Sequence, residues 1–539
     1  MNKQLIIVSL LTFIGLTNLV NAQTPVWQWA KSAGGVSASD VSNAVAVDAG
    51  GNSYVTGTFA SASITFGSTT LANTGGYEVF VVKYNSAGTV VWAKAGGGST
   101  LDIGLSIAVD ASGNCYVSGS FRGTTITFGN FTVTNAGGDD VFIVKYDATG
   151  NEVWAKSAGG TSDDYGYGIS VDANGNSYIT GRFDSSVISF GTTTLSNAGM
   201  FVVKYNTSGN VVWAREGSGV SDGRGIAVDG AGNSYVTGFF EGPTLTLGSN
   251  TFNNTGNGKD VFIVKYNTSG SIIWAKTAGG NSSDYGMSIA IDGSGNSYIA
   301  GYFDSPNLTF GSTVMYADGL DMFVAKYSSN GNPLWAHFAG GAASEYGLGI
   351  GADANGNSYV TGYFESTSIT FGTTVLTNAG YSDIFTVKYD AAGNVGWATS
   401  VGGNLMDTGN GIATESNGTS YITGSFFNSA TFGSTILYAN GDDMYIAKLA
   451  SVAGIEETGG NEYFSIAPNP FTYQTIISFK KEQKNTAIKI TDLLGKEVKT
   501  QTCNGKQCII ERGEMSKGIY FVQLVDEKQN QINEKVVIQ

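Results

Sequence analysis

The sequence predicts an all-β fold: a seven-bladed β-propeller of four-stranded antiparallel blades with N-terminal strand closure, followed by a small C-terminal β-sandwich. Three observations predict it. The dipeptide Trp-Ala recurs seven times, at intervals of 59 to 63 residues. Glycine reaches 77 residues and charged residues only 13% of the chain, a composition typical of many strands joined by tight turns. Each repeat also holds four short apolar segments, as a propeller blade does.

The repeat consists of three words that return in the same order. The Trp-Ala word contains Trp29, Trp92, Trp154, Trp213, Trp274, Trp335 and Trp397. A GNSY-like word contains Tyr54, Tyr116, Tyr178, Tyr235, Tyr298, Tyr359 and Tyr421. A word similar to F-x-V-K-Y begins at Phe80, Phe142, Phe201, Phe262, Phe323, Phe385 and Tyr445. Seven copies of about 61 residues therefore fill residues 23–450.

The second copy illustrates the strands of one blade. They are SIAVD (106–110), NCYVSGSF (114–121), VFIVKY (141–146) and NEVWAK (151–156). The connections ASG and DATG predict hairpin turns. Apolar residues at successive positions indicate sheets covered on both faces. A β-solenoid is the structural alternative, but its coils are usually shorter.

The phase of the repeat predicts how the ring closes. The seventh copy ends at MYIAKL (444–449) and lacks a fourth strand, whereas VWQWAK (26–31) is a fourth strand without a blade. We expect these two segments to pair, which removes the open sheet edges. The words D-x-x-G-N-x-Y, I-T-F-G and D-x-F-x-x-K-Y resemble the bacterial seven-bladed β-propeller repeat family. That resemblance implies a fold and an extracellular setting but no reaction.

The N-terminus predicts a secretory signal peptide over residues 1–22. Lys3 precedes an apolar stretch at 5–16, and Val20-Asn21-Ala22 offers small residues for cleavage before Gln23. A membrane anchor is the alternative, although the apolar stretch is short. No other run of about 18 apolar residues occurs, so we expect no transmembrane segment in the mature chain.

The tail differs in composition from the repeats. Residues 451–460 predict a linker, and 461–539 predict strands of a small sandwich without any repeat word. The stretches FSIAPNPF, ITDLLGKEV and MSKGIYFVQLV resemble the C-terminal sorting domain of the type IX secretion system of Bacteroidetes. The resemblance covers the whole segment and implies export through that machinery. The motif positions are Pro468, Asn469, Pro470, Gly495, Lys496, Gly518 and Tyr520. A generic β-sandwich binding module is the alternative.

Charge and cysteine content narrow the partners. Residues 1–455 carry 17 basic and 32 acidic groups, which argues against nucleic acid as a ligand. Cys115 is expected to be a packed thiol. Cys503 and Cys508 flank NGKQ, a hairpin-turn signal, and could form a disulfide across that hairpin in an exported protein.

Catalytic patterns are scarce in this sequence. The sole histidine, His337, replaces a strand Lys or Arg of the other copies, which leaves no His-based triad or zinc cluster. DATGNEVWA (147–155) is similar to the Trp-docking word of quinoprotein propellers, where the Trp packs blade on blade. This similarity implies packing at Trp154, not a cofactor. We therefore expect no enzyme and no catalytic residues.

Three acidic sets recur with the blades. The first opens the D-x-x-G-N turns, where Asp side chains accept backbone N–H bonds; it comprises Asp48, Asp110, Asp172, Asp229, Asp292, Asp353 and Glu415. The second lies in the interblade connection, eight residues (once seven) before the first: Asp40, Asp102, Asp164, Asp222, Asp284, Glu345 and Asp407. The third precedes strand three: Glu78, Asp140, Asp260, Asp321, Asp383 and Asp443. Strand direction places the second and third sets at the end of the blades that carries the long loops.

We expect that long-loop face to bind any ligand, through the 13 carboxylates of the second and third sets. Calcium, cationic groups or sugars would suit such a face, although the repeat offers no metal motif and the DANGN string is a weak match to an EF-hand loop. The alternative is that these residues merely cap loops. The sequence thus predicts a secreted or surface-attached, non-enzymatic scaffold for adhesion or ligand binding, with a glycan or surface protein as ligand. A carbohydrate-active or quinone-dependent enzyme is the alternative.

Overall fold

The computed structural model describes residues 25–36, 38–450, 464–492, 496–525 and 531–538. The predicted signal peptide and linker, and the motif residue Gly495, lie outside these residues. The chain divides into two compact units at the boundary between residues 451 and 452. The described residues are all-β, as predicted, and contain no helix that could span a membrane.

Seven four-stranded antiparallel sets form the first unit. Strand one is Asp40–Val47, Asp102–Val109, Asp164–Val171, the second part of Val211–Val228, Asp284–Ile291, Glu345–Ala352 and Asp407–Thr414. Strand two is Ser53–Phe59, Cys115–Phe121, Ser177–Phe183, Ser234–Leu247, Ser297–Phe303, Ser358–Phe364 and Ser420–Phe432. Strand three is Glu78–Tyr84, Asp140–Tyr146, Gly199–Tyr205, Lys259–Tyr266, Asp321–Tyr327, Asp383–Tyr389 and Thr435–Ala450. Strand four is Val90–Gly97, Glu152–Ala158, the first part of Val211–Val228, Ile272–Ala278, Pro333–Ala339, Val395–Val401 and Val26–Ala33.

The seven sets, which we call blades one to seven, close into a ring. Strand one of each blade contacts strand one of the next, and strand one of blade seven contacts that of blade one. Strand one is therefore innermost. Strands two and three of blade one are buried at every position, which explains why they are apolar without alternation.

The N-terminal strand closes the ring as predicted. Val26–Ala33 pairs antiparallel with Thr435–Ala450, with Trp29 opposite Lys448. The Trp29 indole reaches across to blade one and donates a hydrogen bond to the carbonyl of Ser86 at 3.2 Å. A Cβ atom on Gly88 would lie 2.8 Å from that ring, and Gly88 has φ +77°, so only glycine fits there.

The same tryptophan contact recurs between neighbouring blades. Trp154 of blade two donates to the Thr207 carbonyl of blade three at 3.1 Å, and its ring covers Gly209. This confirms that Trp154 packs one blade on the next.

The I-T-F-G segments form short hairpins in the connection between strands two and three. In blade one Ser63–Phe66 pairs with Thr69–Ala72. Ile64 and Phe66 are buried, and the Phe66 ring lies 5.2 Å from the Phe80 ring. The other hairpins are Thr125–Phe128 with Phe131–Thr134, Ile188–Phe190 with Thr193–Leu195, the end of Ser234–Leu247 with Asn250–Asn253, Leu308–Phe310 with Thr313–Met315, Ser368–Phe371 with Thr374–Thr377, and the turn between Ser420–Phe432 and Thr435–Ala450.

The second unit is a five-stranded antiparallel sheet. Its strands are Phe464–Ala467, Gln474–Thr491, Glu497–Glu511, Gly518–Val525 and Gln531–Ile538. The two long strands shift register between Ser478 and Thr486, and side chains from both halves, such as Ile477 and Ile490, share one core.

A disulfide joins Cys503 and Cys508, whose Cα atoms are 5.9 Å apart. The predicted hairpin turn between them is wrong. Both cysteines lie on Glu497–Glu511, where Cys503 pairs with Thr486 and Cys508 with Ile477. The NGKQ residues occupy the irregular stretch of that strand instead of reversing the chain.

We expect removal of residues 23–33 to lower the melting temperature sharply. The deletion exposes one edge of Thr435–Ala450 and removes the Trp29 contact with blade one, which together bury a row of apolar side chains. Thermal unfolding followed by circular dichroism would measure the loss. The exposed Val91→Ala serves as the control. An unchanged melting curve for the deletion would contradict closure by this strand.

Candidate functional site

All 13 carboxylates of the second and third acidic sets are buried, which contradicts the expectation that they offer a ligand-binding surface. The most exposed, Asp443, reaches 7%. They cap loops instead. Asp40, for example, accepts hydrogen bonds from the Gly35 and Ser61 amides and from the Ser61 hydroxyl. The interblade connection and the segment after strand two are thereby held by one carboxylate.

The two sets meet at the Gly-Gly dipeptide that follows strand four. The amide of Gly160 donates to Asp164 at 2.8 Å, while a Cβ on Gly159 would lie 2.0 Å from the Asp140 carboxyl carbon. The first glycine thus makes room for one carboxylate and the second binds the other. Six blade junctions share this arrangement: Glu78 with Asp102, Asp140 with Asp164, Asp260 with Asp284, Asp321 with Glu345, Asp383 with Asp407, and Asp443 with Asp40.

The junction of blades three and four lacks the whole arrangement. Gly199 replaces the third-set carboxylate, because it pairs with Phe183 as Asp140 pairs with Phe121. Ser221 replaces the second-set carboxylate, because it pairs with Phe240 as Asp40 pairs with Phe59. The assignment of Asp222 to the second set is therefore wrong by one residue.

The connection between blades three and four is also different. Ser218 stands where the other junctions have the first glycine, and Gly219 keeps the position of the second. Strand four runs on into strand one as the continuous strand Val211–Val228. Because both carboxylates and the first glycine are lost together, the three residues form one structural unit.

Burial raises the pKa values of most of these paired carboxyls. It brings the pKa of Asp102, Asp284 and Asp407 to about 7, and the carboxylate from the preceding blade adds to each rise. The pKa of Asp140, Asp321 and Asp443 rises to about 6, again mainly through burial. Among the described residues, each of the six junctions leaves at least one buried carboxylate oxygen without a hydrogen-bond partner. A proton held at such a pair supplies the missing partner.

The first acidic set behaves as predicted. Asp48 accepts hydrogen bonds from the amides of Gly50 and Asn52. The Tyr54 hydroxyl lies 3.1 Å from the Asp48 carboxylate and 3.2 Å from the Gly113 carbonyl of the next blade. Although burial acts in the opposite direction, the hydrogen bonds from Asn52 and Tyr54 lower the pKa of Asp48. These carboxylates cap the turns, and the tyrosines that contact them link adjacent blades.

A belt of inner-strand residues departs from the sevenfold repeat, and it was not predicted from the sequence. We define the belt as seven cross-strand pairs of strands one and two near the long-loop end: Val41 with Thr58, Ile103 with Ser120, Tyr165 with Arg182, Asp222 with Phe239, Tyr285 with Tyr302, Tyr346 with Tyr363, and Thr408 with Ser425. Blades seven, one and two carry aliphatic or hydroxyl residues, whereas blades three to six carry aromatic and charged ones. The changes from SGSF to AGYF and TGYF were the available sequence signal.

The aromatic residues of the belt form a continuous row. The ring centroids of Tyr285 and Tyr302 are 4.6 Å apart, as are those of Tyr346 and Tyr363. Between blades, Phe239 lies 4.9 Å from Tyr285, and Tyr302 lies 4.9 Å from Tyr346. The four tyrosines are partly exposed. This row is a surface of stacked and edge-to-face rings that solvent can reach.

Arginine–carboxylate pairs extend the belt toward blades two to four. Arg122 donates two hydrogen bonds to Asp139, at 3.1 and 2.6 Å. Arg224 donates to Asp222 at 2.8 Å, and its guanidinium lies 3.9 Å from the Tyr167 ring centre. Arg182 lies 3.5 Å from Asp222. The belt carboxylates Asp139 and Asp222 are thus held by cations.

Other candidate groups have structural surroundings. His337 stacks on Tyr389 at 5.7 Å, and burial lowers its pKa. Cys115 is fully buried. Among the described residues, no group of three or more His, Cys, Asp or Glu side chains is placed to hold a metal ion. A cavity of about 700 Å³ lies at the outer side of the junction between blades three and four, with Arg215 and Glu216 among its lining residues.

The tail motif residues tie the last strand to the first. The side-chain oxygen of Asn469 accepts a hydrogen bond from the Val537 amide at 2.8 Å, and the Pro468 carbonyl accepts one from Thr475 at 2.7 Å. The Lys496 amide donates to Asp492, and the Tyr520 hydroxyl donates to the Ser516 carbonyl. Gly518 opens Gly518–Val525, the strand that pairs with Gln531–Ile538. The N-P-F segment is therefore part of the domain fold.

We expect the melting temperature to rise when the pH falls from 8 to 5. Six of the paired aspartates have pKa values of about 6 to 7 in the folded protein, well above their ordinary value of 3.8. The folded state thus binds more protons than the unfolded chain, and its stability falls as the pH rises through this window. The variant D102N/D284N/D407N should lose about half of this rise in melting temperature. Asp48→Asn, which replaces a carboxyl with a lowered pKa, should show the same rise as the wild type. A melting temperature that is flat or falls on acidification would refute the idea.

Comparisons with known proteins agree with this architecture. Residues 153–182 and 273–305 match the family model described as Beta-propeller repeat. An uncharacterized WD repeat-containing protein of Acanthamoeba polyphaga mimivirus is 27% identical over 500 residues, which cover 75% of this chain and 36% of that protein. The Regulatory protein FlaEY of Caulobacter vibrioides is 27% identical over 319 residues, covering 53% and 32%. The chain spans about a third of the length of these curated relatives.

Solved structures to which this chain shows some similarity include PorZ, an essential bacterial surface component of the type-IX secretion system of Porphyromonas gingivalis. It is 11% identical, with coverage of 94% of this chain and 100% of that chain and a TM-score of 0.25. The Pan2 WD40 domain of Neurospora crassa is 10% identical, with coverage of 66% and 92% and a TM-score of 0.30. Residues 465–539 match the model described as Secretion system C-terminal sorting domain. The chain therefore carries repeats of the β-propeller repeat family and ends in a type IX secretion sorting domain, which directs it to the cell surface or the extracellular space.

Proposed function

We propose that this exported propeller is a non-enzymatic scaffold for adhesion or ligand binding, and that its ligand binds at the belt. The observation that carries this proposal is the departure of the belt from the sevenfold repeat. Positions that packing dictates, such as the tyrosines equivalent to Tyr54, are the same in all seven blades. The belt positions instead range from serine to tyrosine and arginine.

The location of the belt supports a binding role. Its residues lie on the two inner strands, close to the end of the blades that carries the long connections. The belt side chains are large in blades three to six and small in blades seven, one and two, so the belt is uneven around the ring. Binding sites typically combine aromatic surface with a few polar groups, and the belt has this composition.

The charged groups of the belt favour binding over catalysis. A general acid needs a carboxyl that holds a proton near neutral pH. Asp139 and Asp222 are instead engaged by Arg122 and Arg224 through hydrogen bonds and ion pairs. The tryptophans cover glycines of the next blade, so their faces are already occupied. These contacts give no support to the carbohydrate-active or quinone-dependent alternatives.

Tyr346→Ala should weaken ligand binding by about tenfold or more, because it removes the ring that links the two stacked pairs. The purified full chain would first be screened against glycan arrays and surface proteins, and each hit would then be titrated calorimetrically. Tyr438→Ala is the matched control, since Tyr438 is 72% exposed and lies outside the belt. A hit whose affinity is the same in wild type and Tyr346→Ala would place the ligand elsewhere and refute the belt as the site.

A further inference from the structure

We infer that the ligand of the belt is an acidic oligosaccharide, one that carries carboxylate groups on its sugar rings. This inference rests on the proposed function and names its ligand class. The belt joins two features that such a ligand needs. One is a row of partly exposed aromatic rings, and the other is an ammonium group without a protein counter-ion.

The aromatic row suits the faces of sugar rings. The axial C–H groups of a pyranose carry partial positive charge and pack on the negative face of an aromatic ring. Tyr302, Tyr346 and Tyr363 follow one another at 4.9 and 4.6 Å and are partly exposed. Beyond Tyr363 the belt continues with Thr408 and Ser425, whose hydroxyl oxygens are 3.3 Å apart. These small polar residues leave room beside the last ring and offer partners for sugar hydroxyls.

Lys259 supplies the positive charge at the other end of the row. Its ammonium lies 5.1 Å from the Phe239 ring centre and 5.0 Å from the Tyr285 ring centre. Within the part of the chain that the structure describes, this ammonium has neither an ion-pair partner nor a hydrogen-bond acceptor. Its cross-strand neighbour Glu241 is exposed and forms no ion pair with it. An unpaired cation held on two rings is a site for an anionic group.

The position of Lys259 in the repeat strengthens this argument. The residues just before strand three at the equivalent place in the other blades are Tyr77, Asp139, Ala198, Leu320, Ser382 and Asp442. Lysine is thus specific to blade four, where the aromatic row begins. The arginines of the belt are paired with Asp139 and Asp222, so Lys259 is the belt cation left for a ligand.

Two other ligand classes fit less well. A quaternary ammonium or other cation would compete with Lys259 and Arg224, which already occupy ring faces at one end of the row. Single-stranded nucleic acid also stacks on aromatic rings, but it needs a basic groove along its backbone. The whole chain carries a net charge of −15, and a polyphosphate would be repelled. A carbohydrate with isolated carboxylates requires only the one cation.

The test uses the full chain and two matched probes. One is an oligosaccharide of neutral sugars that carries a single uronic acid, and the other is its methyl ester, which has the same rings without charge. We expect the wild type to bind the acid more tightly than the ester, with an affinity that falls as salt is added. Lys259→Gln should weaken acid binding by about tenfold and leave ester binding unchanged. Tyr346→Ala should weaken both, and Tyr438→Ala neither. Melting curves of all variants would show that the fold is intact.

Each outcome separates the inference from the proposed function. Equal affinity for acid and ester, or an acid affinity unchanged in Lys259→Gln, overturns the acidic class while a belt site stands. If the protein binds neither probe but binds another ligand that Tyr346→Ala no longer binds, the acidic ligand class is overturned and the belt remains the binding site. If no ligand from the screen depends on Tyr346, the proposed function itself fails. Lys259→Met, which keeps the ring contacts without charge, would confirm that charge and not packing is responsible.

Discussion

The structure depends on the Gly-Gly junction between blades. At this dipeptide the chain must leave the outermost strand of one blade and reach the innermost strand of the next. The absence of a Cβ atom on Gly159 lets the Asp140 carboxyl approach, and the Gly160 amide binds Asp164. The cost of burying two carboxyls is offset by their hydrogen bonds and by protonation instead of by salt bridges. Where the unit is absent, after Gly217, the chain runs straight on and two blades share a continuous strand.

The sequence predicted the fold well because the repeat copies every packing position seven times. Trp154, Tyr178 and the glycines of the turns recur at fixed spacings, and their contacts follow from that spacing. The phase of the repeat even predicted the pairing of Val26–Ala33 with the last blade. The hairpin expected between Cys503 and Cys508 was wrong because a turn signal of four residues also fits an irregular stretch of a long strand.

The candidate site was predicted poorly, for a related physical reason. Repetition made the acidic sets conspicuous, and a charge repeated seven times suggested a surface. Their burial depends on contacts with the glycines that follow strand four. The spacing of residues along the sequence does not reveal these contacts. The belt was missed for the opposite reason, because its residues do not repeat from blade to blade. Its members Tyr302 and Tyr363 differ from Ser120 in otherwise similar words, and only the ring of blades shows that these differences lie side by side.

The closing strand has a consequence for how the protein is made. Trp29 pairs with a residue more than 400 positions later, and the strand pair to which it belongs has the greatest sequence separation in the ring. Loops of that length close slowly, and such pairing comes late in folding. During synthesis and export the strand Val26–Ala33 must remain without its partner while seven blades form behind it. An apolar edge strand in that state can pair with other chains. The protein is therefore most prone to aggregation just before the ring closes. A factor that covers Val26–Ala33 until the seventh blade is complete would prevent this aggregation.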